Sequence, residues 1–333
     1  MTRIKYGRNR RQTVANYPRV TIGVPVYNGE NYLVESLQSL LRQTFADFEI
    51  VISDNASTDR TQEICKRYVN KDARIRYSRN STNLGSARNF NRVVELASGE
   101  YFKWAPHDDL HSADYLQKCV DILDTNPDVV LVYTRTQIID ERGMVIRSHQ
   151  DKLRCDSEEV HTRFHDLLVN YMCYEIFGLM RLKQLLNTGL VGSYGHADGV
   201  LLARMGLFGR FYEIPEPLYF NRIHESKSSL AYTSYREYTV WIDPRNAGKV
   251  LLPRWRMGYE FARSIGLAKL SFIDRMKCYA QIGYWVRTFW KSLIANIVVA
   301  FMEILTKLFR RLQAKVWKTN HKDNFAIENG EKK

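Results

Sequence analysis

The sequence lacks the short motifs that mark several large classes of enzymes and binding proteins. Its five cysteines are an odd number at irregular spacing and include no CxxC pair, which argues against the common zinc and redox motifs. We interpret them as packed thiols of a protein in a reducing cytoplasm. Neither GxGxxG nor GxxxxGKS/T occurs, so neither a dinucleotide fingerprint nor a P-loop is supported. Internal repeats and low-complexity segments are absent too.

The sequence also has no apolar run behind its basic start. Arginine and lysine are frequent in residues 1–12, and without a following apolar stretch this segment does not read as a secretory signal. We predict a solvated basic tail at 1–18, a catalytic domain at 19–234 and a basic helical extension at 235–333. The net charge of +13 predicts attraction to phosphate-bearing partners, which include nucleic acid, anionic lipid and nucleotide sugars.

What the chain does contain is a regular alternation of two patterns. From residue 19 onward, short β-branched runs alternate with amphipathic stretches, which is typical of a parallel sheet with crossover helices. The predicted strands are 20–26, 48–52, 75–77, 101–104 and 129–133, with a hairpin at Arg142-Gly143 and mainly helical structure at 158–210. In such a sheet, ligands bind at the carboxyl ends of the strands.

Two adjacent carboxylates, Asp108 and Asp109, follow the predicted strand at 101–104. Their mutual repulsion is relieved by a cation or by water, so they could hold Mg²⁺ or Mn²⁺ against a nucleoside diphosphate. The alternative is an acidic turn that favours the dipole of the helix predicted from Tyr115. Asp54 also ends a strand, where aspartate is common in ordinary turns.

The two carboxylates and the nucleotide-type βα pattern before them suggest a sugar-nucleotide transferase. A sugar transfer also needs a base that takes the proton of the acceptor hydroxyl. Asp198, in the segment 195–199 before a helical run, is the candidate, and the alternative is a helix N-cap. Arg222 and His224 follow another strand-like run and could bind phosphate or metal. The alternative for them is a surface strand with satisfied side chains.

Together these segments resemble the family 2 glycosyltransferases, inverting enzymes of the GT-A fold, from about residue 19 to residue 229. The matching segments are 24–28, Ser53 to Asp59, Asn83-Leu84-Gly85 with Ala87 and Asn89, Ser98 to Tyr101, and 107–110. The chain differs from many members at Pro106, where they carry the first Asp of a DxDD run, and at Ala197, where they carry Glu.

The resemblance implies a GT-A nucleotide-diphospho-sugar transferase fold with a Rossmann-like mixed sheet, and a role for each site residue. Asp54 would contact the base, Asp108 the ribose or the metal, and Asp109 the metal, while Asp198 would be the catalytic base. Arg222 and His224 match a loop that closes over the diphosphate, with His224 a further metal ligand. The other predicted donor-binding residues are Pro25, Tyr27, Asn28, Asn55, Gly85 and Asn89.

The carboxy-terminal region reads as an amphipathic basic helix. Apolar residues recur at three- or four-residue spacing from Trp285 to Leu312, with Lys and Arg on other faces. The uncharged run at 292–302 is shorter than the ~20 residues that span a bilayer, so we expect the helix to lie in an anionic membrane surface. The alternative is a helix packed on the catalytic domain or on a second subunit.

We therefore predict an inverting, metal-dependent glycosyltransferase that is peripheral on the inner, cytoplasmic face of the plasma membrane. Its donor would be a UDP- or dTDP-sugar and its acceptor a glycan or lipid-linked hydroxyl, with no nucleic-acid partner. A sugar nucleotidyltransferase is one alternative, although Gly23-Val24-Pro25 is not the Gly-rich basic loop that such an enzyme usually needs. A non-enzymatic basic protein that binds membrane or nucleic acid is the other.

Overall fold

The structure, a computed structural model, describes residues 17–149, 153–169, 172–225 and 234–328. Most of the predicted basic tail, residues 1–16, lies outside this part of the chain. The described residues form one mixed sheet in the order β3-β2-β1-β4-β8-β6-β9-β5, with β7 paired to β6. The strands are β1 Val20–Val26, β2 Phe48–Asp54, β3 Ile75–Arg79, β4 Tyr101–Trp104, β5 Leu110–His111, β6 Val129–Ile139, β7 Val145–His149, β8 Leu179–Arg181 and β9 Arg210–Arg222.

Helices cover both faces of this sheet. They are α1 Leu33–Leu41, α2 Thr61–Val69, α3 Ser86–Glu95, α4 Tyr115–Thr125, α5 Val160–Val169, α6 Leu182–Asn187, α7 Ala197–Phe208, α8 Tyr235–Ile242, α9 Pro253–Leu267 and α10 Phe272–Glu328. Short 3₁₀ turns lie at Tyr174–Phe177 and Pro244–Asn246. Helix α10 has a kink at Phe289, where φ is −107° and ψ is 15°.

The amino-terminal half is the predicted parallel sheet. Strand β1 lies between β2 and β4 and runs parallel to both, and every residue of β1 and β2 is buried. Burial on both faces explains why these strands are continuous apolar runs rather than alternating ones. Because β1 to β4 run in the same direction, their carboxyl ends share one edge, called here the rim.

The second half adds antiparallel pairs and one parallel pair, β6 with β9, which complete the rim. The short strand β8 lies between β4 and β6, inside a segment for which the sequence predicts mainly helix. Strand β9 pairs with β6 and then with β5, where Leu110 opposes Phe220 and His111 opposes Tyr219. This last pairing brings the end of β9 beside the residues that follow β4.

The carboxy-terminal helices begin as part of the folded domain. Met257 and Phe261 of α9, with Trp285 and Leu293 of α10, belong to the same buried cluster as Phe102 of β4. The extension predicted from 235 is therefore continuous with the core up to Leu293, as the packed alternative expected. Beyond Leu293 most apolar side chains of α10 are exposed.

Candidate active site

Asp108 and His224 meet at the rim. Asp108 Oδ2 lies 3.0 Å from His224 Nε2, and both side chains are about nine-tenths buried. Tyr32 lies beside them, with its ring centre 4.8 Å from that of His224. A carboxylate and an imidazole are both ligands for divalent metals in proteins. The pairing of β5 with β9 is what joins them, because the two residues are 116 positions apart.

This pair fits a metal that takes most of its ligands from substrate and water. Within the described ranges, no group of three His, Cys, Asp or Glu residues could hold an ion. Mg²⁺ usually keeps several waters and binds through one or two carboxylates together with substrate phosphates. Two protein ligands at an open rim are therefore compatible with such an ion, whereas they would not make a closed structural site.

Asp109 has a different environment from its neighbour. Its carboxylate is fully buried and accepts hydrogen bonds from the Tyr219 hydroxyl, from Asn221 Nδ2 at 3.1 Å and from the Arg222 backbone N–H at 2.8 Å. Burial and the Asp109 charge raise the pKa of Tyr219 well above its usual value, so the phenol keeps its proton and donates it. The predicted metal contact of Asp109 does not fit these surroundings, because both oxygens are already engaged inside the protein.

Arg222 is also turned inward. Its side chain is fully buried, and its guanidinium donates to the Asp108 carbonyl at 2.9 Å and to the Asp140 and Glu141 carbonyls at 3.2 and 2.9 Å. The third nitrogen pairs with the Glu35 carboxylate at 2.7 Å. The predicted phosphate contact of Arg222 does not fit this arrangement. The residue instead joins its own strand to three other chain segments around Asp108.

Asp54, the predicted base contact, is buried at the end of β2. It accepts hydrogen bonds from the Ser57 backbone N–H at 2.8 Å, the Tyr77 hydroxyl at 2.7 Å and the Arg79 guanidinium at 2.5 Å. Burial and contact with Asp54 raise the pKa of Tyr77 above its usual value. Arg79 is about one-third exposed, so it is the member of this group that reaches solvent at the rim.

Arg79 is a rim residue that the sequence reasoning missed. The predicted third strand ends at Tyr77, whereas β3 continues to Arg79 and pairs it with Asp54. Extending the strand by two residues would have put Arg79 at the carboxyl edge beside the other candidates.

The predicted asparagines form an internal network. Asn55 Oδ1 accepts from the Leu84 backbone N–H at 2.9 Å, and its Nδ2 donates to Asn83 Oδ1 at the same distance. Asn89 accepts from the Ser53 hydroxyl at 2.7 Å. Both side chains are buried, so they fix the loops that end β2 and begin α3.

The turn after β1 contributes the exposed part of the predicted donor set. Pro25 is buried in the strand, whereas Tyr27 is 41% exposed and Asn28 is exposed in the left-handed region at φ 51°. Asn28 holds this shape by accepting from the Thr58 backbone N–H at 2.8 Å and donating its own backbone N–H to Ser57 Oγ at 2.9 Å. Tyr27 and Asn28 are thus held at the rim facing solvent.

Asp198 lies at the start of α7, partly exposed. The N-cap of the helix is His196, so Asp198 is not the cap that the alternative reading expected, and its Oδ1 accepts from the Gly199 backbone N–H at 2.9 Å. Burial lowers the pKa of His196, and the Asp198 charge opposes that shift. Asp198 therefore presents a carboxylate at the amino terminus of α7.

Helix α8 runs between the rim and the loop that leads into α7, residues 188–196, called here the Asp198 loop. At one end, a Cβ on Gly195 would lie 2.6 Å from the Tyr235 hydroxyl; at the other, a Cβ on Gly85 would lie 2.5 Å from the Ile242 carbonyl oxygen. Gly85 also has φ 85°, so it is required both for its conformation and for this close approach. The predicted donor-binding glycine is thus a contact point between the rim and α8.

Buried titratable side chains lie under Asp109. The Lys103 ammonium donates to the Phe177 carbonyl, and burial lowers its pKa to about 7. His111 is also buried, and neither ring nitrogen has a hydrogen-bond partner among the described residues. Burial and the nearby Lys103 lower the pKa of His111 well below its usual value, so the ring is neutral.

Comparison with known proteins gives consistent matches. Residues 21–185 match the family model described as glycosyl transferase family 2. An uncharacterized glycosyltransferase of Methanocaldococcus jannaschii is 34% identical over 132 residues, which are 39% of this chain and 46% of that protein. One of Haemophilus influenzae is 24% identical over 269 residues, which are 78% of this chain and 82% of that protein. The chain thus matches less than half of the length of the M. jannaschii relative.

Among solved structures, S. aureus TarS 1-349 in complex with UDP-GlcNAc aligns with a TM-score of 0.61 at 21% identity. The alignment covers 81% of this chain and 73% of that one. At this identity the likeness concerns the fold. It confirms the predicted GT-A architecture. The predicted carboxy-terminal helix is present as well, and by length and composition it is apolar enough to cross a membrane, whereas the uncharged run at 292–302 predicts one too short to do so.

Proposed function

We propose that this chain, which carries a glycosyl transferase family 2 domain at residues 21–185, is an inverting glycosyltransferase that moves one sugar from a nucleoside-diphosphate sugar to a hydroxyl acceptor. The observation that carries this proposal is the Asp108–His224 pair, 3.0 Å apart at the carboxyl edge of the parallel sheet. Ligands bind at this edge in open α/β sheets. The match to the family 2 glycosyltransferases argues against both alternatives, the nucleotidyltransferase and the non-enzymatic protein.

The donor in this proposal is a UDP- or dTDP-sugar. Support comes from S. aureus TarS, which has the same fold and was solved with UDP-GlcNAc and with UDP. Tyr27, Asn28 and Arg79 are exposed at the rim and could line the nucleotide. Asp108 and His224 would hold Mg²⁺ or Mn²⁺, which neutralises charge on the diphosphate oxygens.

Asp198 is the proposed base. In an inverting transfer the acceptor hydroxyl attacks the anomeric carbon from the side opposite the diphosphate, and its proton must pass to a base on that side. Asp198 lies on α7, a different element from those that form the rim, and α8 joins the two. Its carboxylate is partly exposed, as a base that meets an incoming acceptor must be.

We also propose that α10 binds the anionic inner face of the plasma membrane, which favours a lipid-linked acceptor. By length and composition, Phe272–Gln313 could cross a membrane. Two of its charged residues point toward the domain, however, because Lys307 Nζ donates to the Gly248 carbonyl at 2.8 Å and lies 3.0 Å from Glu303. One stripe of the helix thus stays on protein. This supports a helix that lies in the interface rather than one that crosses it.

The outward face of α10 has the composition of an interfacial helix. Its exposed apolar side chains are Ile294, Ile297, Val298, Val299, Phe301, Met302, Ile304, Leu305, Leu308, Phe309 and Leu312. Exposed basic residues lie near both ends of this segment of the helix, Arg287 and Lys291 at its start and Arg310 and Arg311 toward its end. Near an anionic surface each such residue adds about 1 kcal/mol of attraction.

A nucleotide titration tests the proposed donor site. Thermal unfolding of the full chain would be followed with UDP, GDP, dTDP and CDP, each with and without Mn²⁺, for the wild type, Asp108→Ala and the control Asp121→Ala. Asp121 is exposed on α4. We expect one nucleotide to raise the melting temperature only with metal, in the wild type and the control but not in Asp108→Ala. No stabilisation by any nucleotide would contradict the donor site.

A further inference from the structure

A cavity of about 740 Å³ lies beside the Asp198 loop and away from the rim. It is open to solvent and is lined by the loop before α7, by α8, by α9 and by the segment that joins α8 to α9. Tyr194 and Tyr235 form part of its wall, and the Tyr235 hydroxyl touches the backbone of the Asp198 loop at Gly195. The cavity is therefore lined by the loop that leads into α7, and the proposed base is the second residue of that helix.

One side of the cavity has an excess of positive charge. The Glu260 carboxylate is buried and contacts three guanidinium groups, those of Arg204, of Arg256 at 2.6 Å and of Arg263 at 3.6 Å. Lys249 adds a fourth cation to the lining, and Glu260 is the one acidic lining residue. A single carboxylate cannot balance this set, so the wall attracts an anion.

Two of the three arginines can reach a ligand. Arg204 is almost fully buried and is also held by the Thr188 carbonyl at 2.8 Å and by Ser264 Oγ at 2.9 Å. Arg256 and Arg263 keep more than half of their side-chain surface exposed. A planar guanidinium presents paired N–H donors that match phosphate oxygens, which makes a phosphate group the fitting anion.

The cavity also has an apolar part of its lining, called here the apolar wall. Leu190, Val250, Leu251, Leu252 and Pro253 line it. The next two residues attach this wall to α10, because the Arg254 backbone N–H donates to Asn296 Oδ1 at 2.8 Å and the Trp255 indole donates to the Leu293 carbonyl at 3.0 Å. The apolar wall thus leads to the point where the exposed apolar face of α10 begins.

We propose that this cavity binds a phosphate-bearing lipid, the anchor of the acceptor, with its phosphate on Arg256 and Arg263 and its chain along the apolar wall toward α10. The assignment rests on the proposed glycosyltransferase function, since it places the acceptor's hydroxyl on the side of Asp198. It extends that function by giving the lipid-linked acceptor a binding site. A soluble glycan acceptor would have no use for the apolar wall.

Binding of a short prenyl diphosphate tests the assignment. Isothermal titration of the full chain with farnesyl diphosphate would be compared with inorganic pyrophosphate and with farnesol. The variants are Arg256→Gln/Arg263→Gln, the charge-preserving pair Arg256→Lys/Arg263→Lys, and the matched control Lys66→Gln/Arg67→Gln on α2. We expect the Gln pair to weaken farnesyl diphosphate binding at least about tenfold, the Lys pair to weaken it less, and the control to match the wild type.

Pyrophosphate and farnesol distinguish a site for a lipid phosphate from a site for free phosphate. We expect pyrophosphate and farnesol each to bind at least about tenfold more weakly than farnesyl diphosphate, since pyrophosphate lacks the apolar chain and farnesol lacks the phosphates. Equal affinity for pyrophosphate would overturn the lipid assignment and leave an anion site. Equal binding of farnesyl diphosphate by the Gln pair, or no binding by the wild type, would overturn the proposal.

The experiment gives different results if the proposed lipid site is wrong and if the proposed glycosyltransferase function is wrong. UDP binding with Mn²⁺ should be the same in the wild type and in the Gln pair, because the rim is formed by other elements. Loss of farnesyl diphosphate binding in the Gln pair together with normal UDP binding supports both proposals. Arginine-dependent lipid binding without any nucleotide binding would remove the donor site and keep the lipid site.

Discussion

The rim and the carboxy-terminal half handle their polar groups in opposite ways. At the rim the polar side chains are buried and form hydrogen bonds inside the protein, as Asp54, Asn89, Asp109 and Arg222 do. Around α9 and α10, arginines are half exposed and a long apolar face is uncovered. A buried polar group needs its hydrogen-bond partners inside the protein, so these rim residues mainly fix the shape of the loops that carry them. The uncovered groups of the other half are the ones left for a partner.

Substituting the two adjacent aspartates of the rim one at a time should give the largest effect on stability. Asp109→Ala leaves Tyr219, Asn221 and the Arg222 backbone N–H without their buried acceptor, and we expect a loss of about 3–5 kcal/mol in the free energy of unfolding. Asp108→Ala removes the contact with His224 and should cost less than half as much. Urea unfolding of both variants measures the difference. Equal losses would mean that the two carboxylates do not have separate roles.

Charging the apolar face of α10 should give the next largest effect. Val298→Glu/Phe301→Glu removes two exposed apolar side chains and adds charge that anionic lipid repels, so we expect about a hundredfold weaker partitioning. Sedimentation with vesicles of phosphatidylglycerol and phosphatidylcholine measures it. The control Asn70→Glu/Thr125→Glu adds the same charge at exposed sites on the catalytic domain. Unchanged binding of the α10 variant would remove the helix from the membrane contact.

A smaller, pH-dependent effect is expected from His111, whose ring nitrogens have no described partner. Its lowered pKa means that the folded protein keeps the ring neutral, whereas the unfolded chain takes up a proton below about pH 6.5. Wild-type stability should therefore fall on acidification by about 1.4 kcal/mol per pH unit through this group, and His111→Phe should lack that slope. Chemical unfolding at pH 8 and pH 5.5 compares them. Identical pH dependence would show that His111 is protonated in the folded state.

The sequence predicted the parallel half of the fold well because its signals are local. Strands β1 to β4 are apolar runs that end in polar residues, so both the strands and the edge could be read along the chain. The family resemblance then identified the correct fold.

The inward roles of Asp109 and Arg222 could not be read in this way. They depend on the pairing of β5 with β9 and on Glu35, which is 187 positions from Arg222. The cavity was missed for the same reason. Its lining runs from Gly189 to Arg263 across several elements, with no periodic pattern to mark it.

The most direct test of the account is sugar transfer by Asp198→Asn. The donor would be the sugar form of the nucleotide that stabilises the protein, and the acceptor a lipid extract of the producing cells. Release of the nucleoside diphosphate would be followed, with Asp121→Asn as the control. Losing the base should lower turnover by about a thousandfold while nucleotide binding stays normal. Full turnover by Asp198→Asn would contradict the assignment of the base and, with it, the proposed arrangement of donor and acceptor.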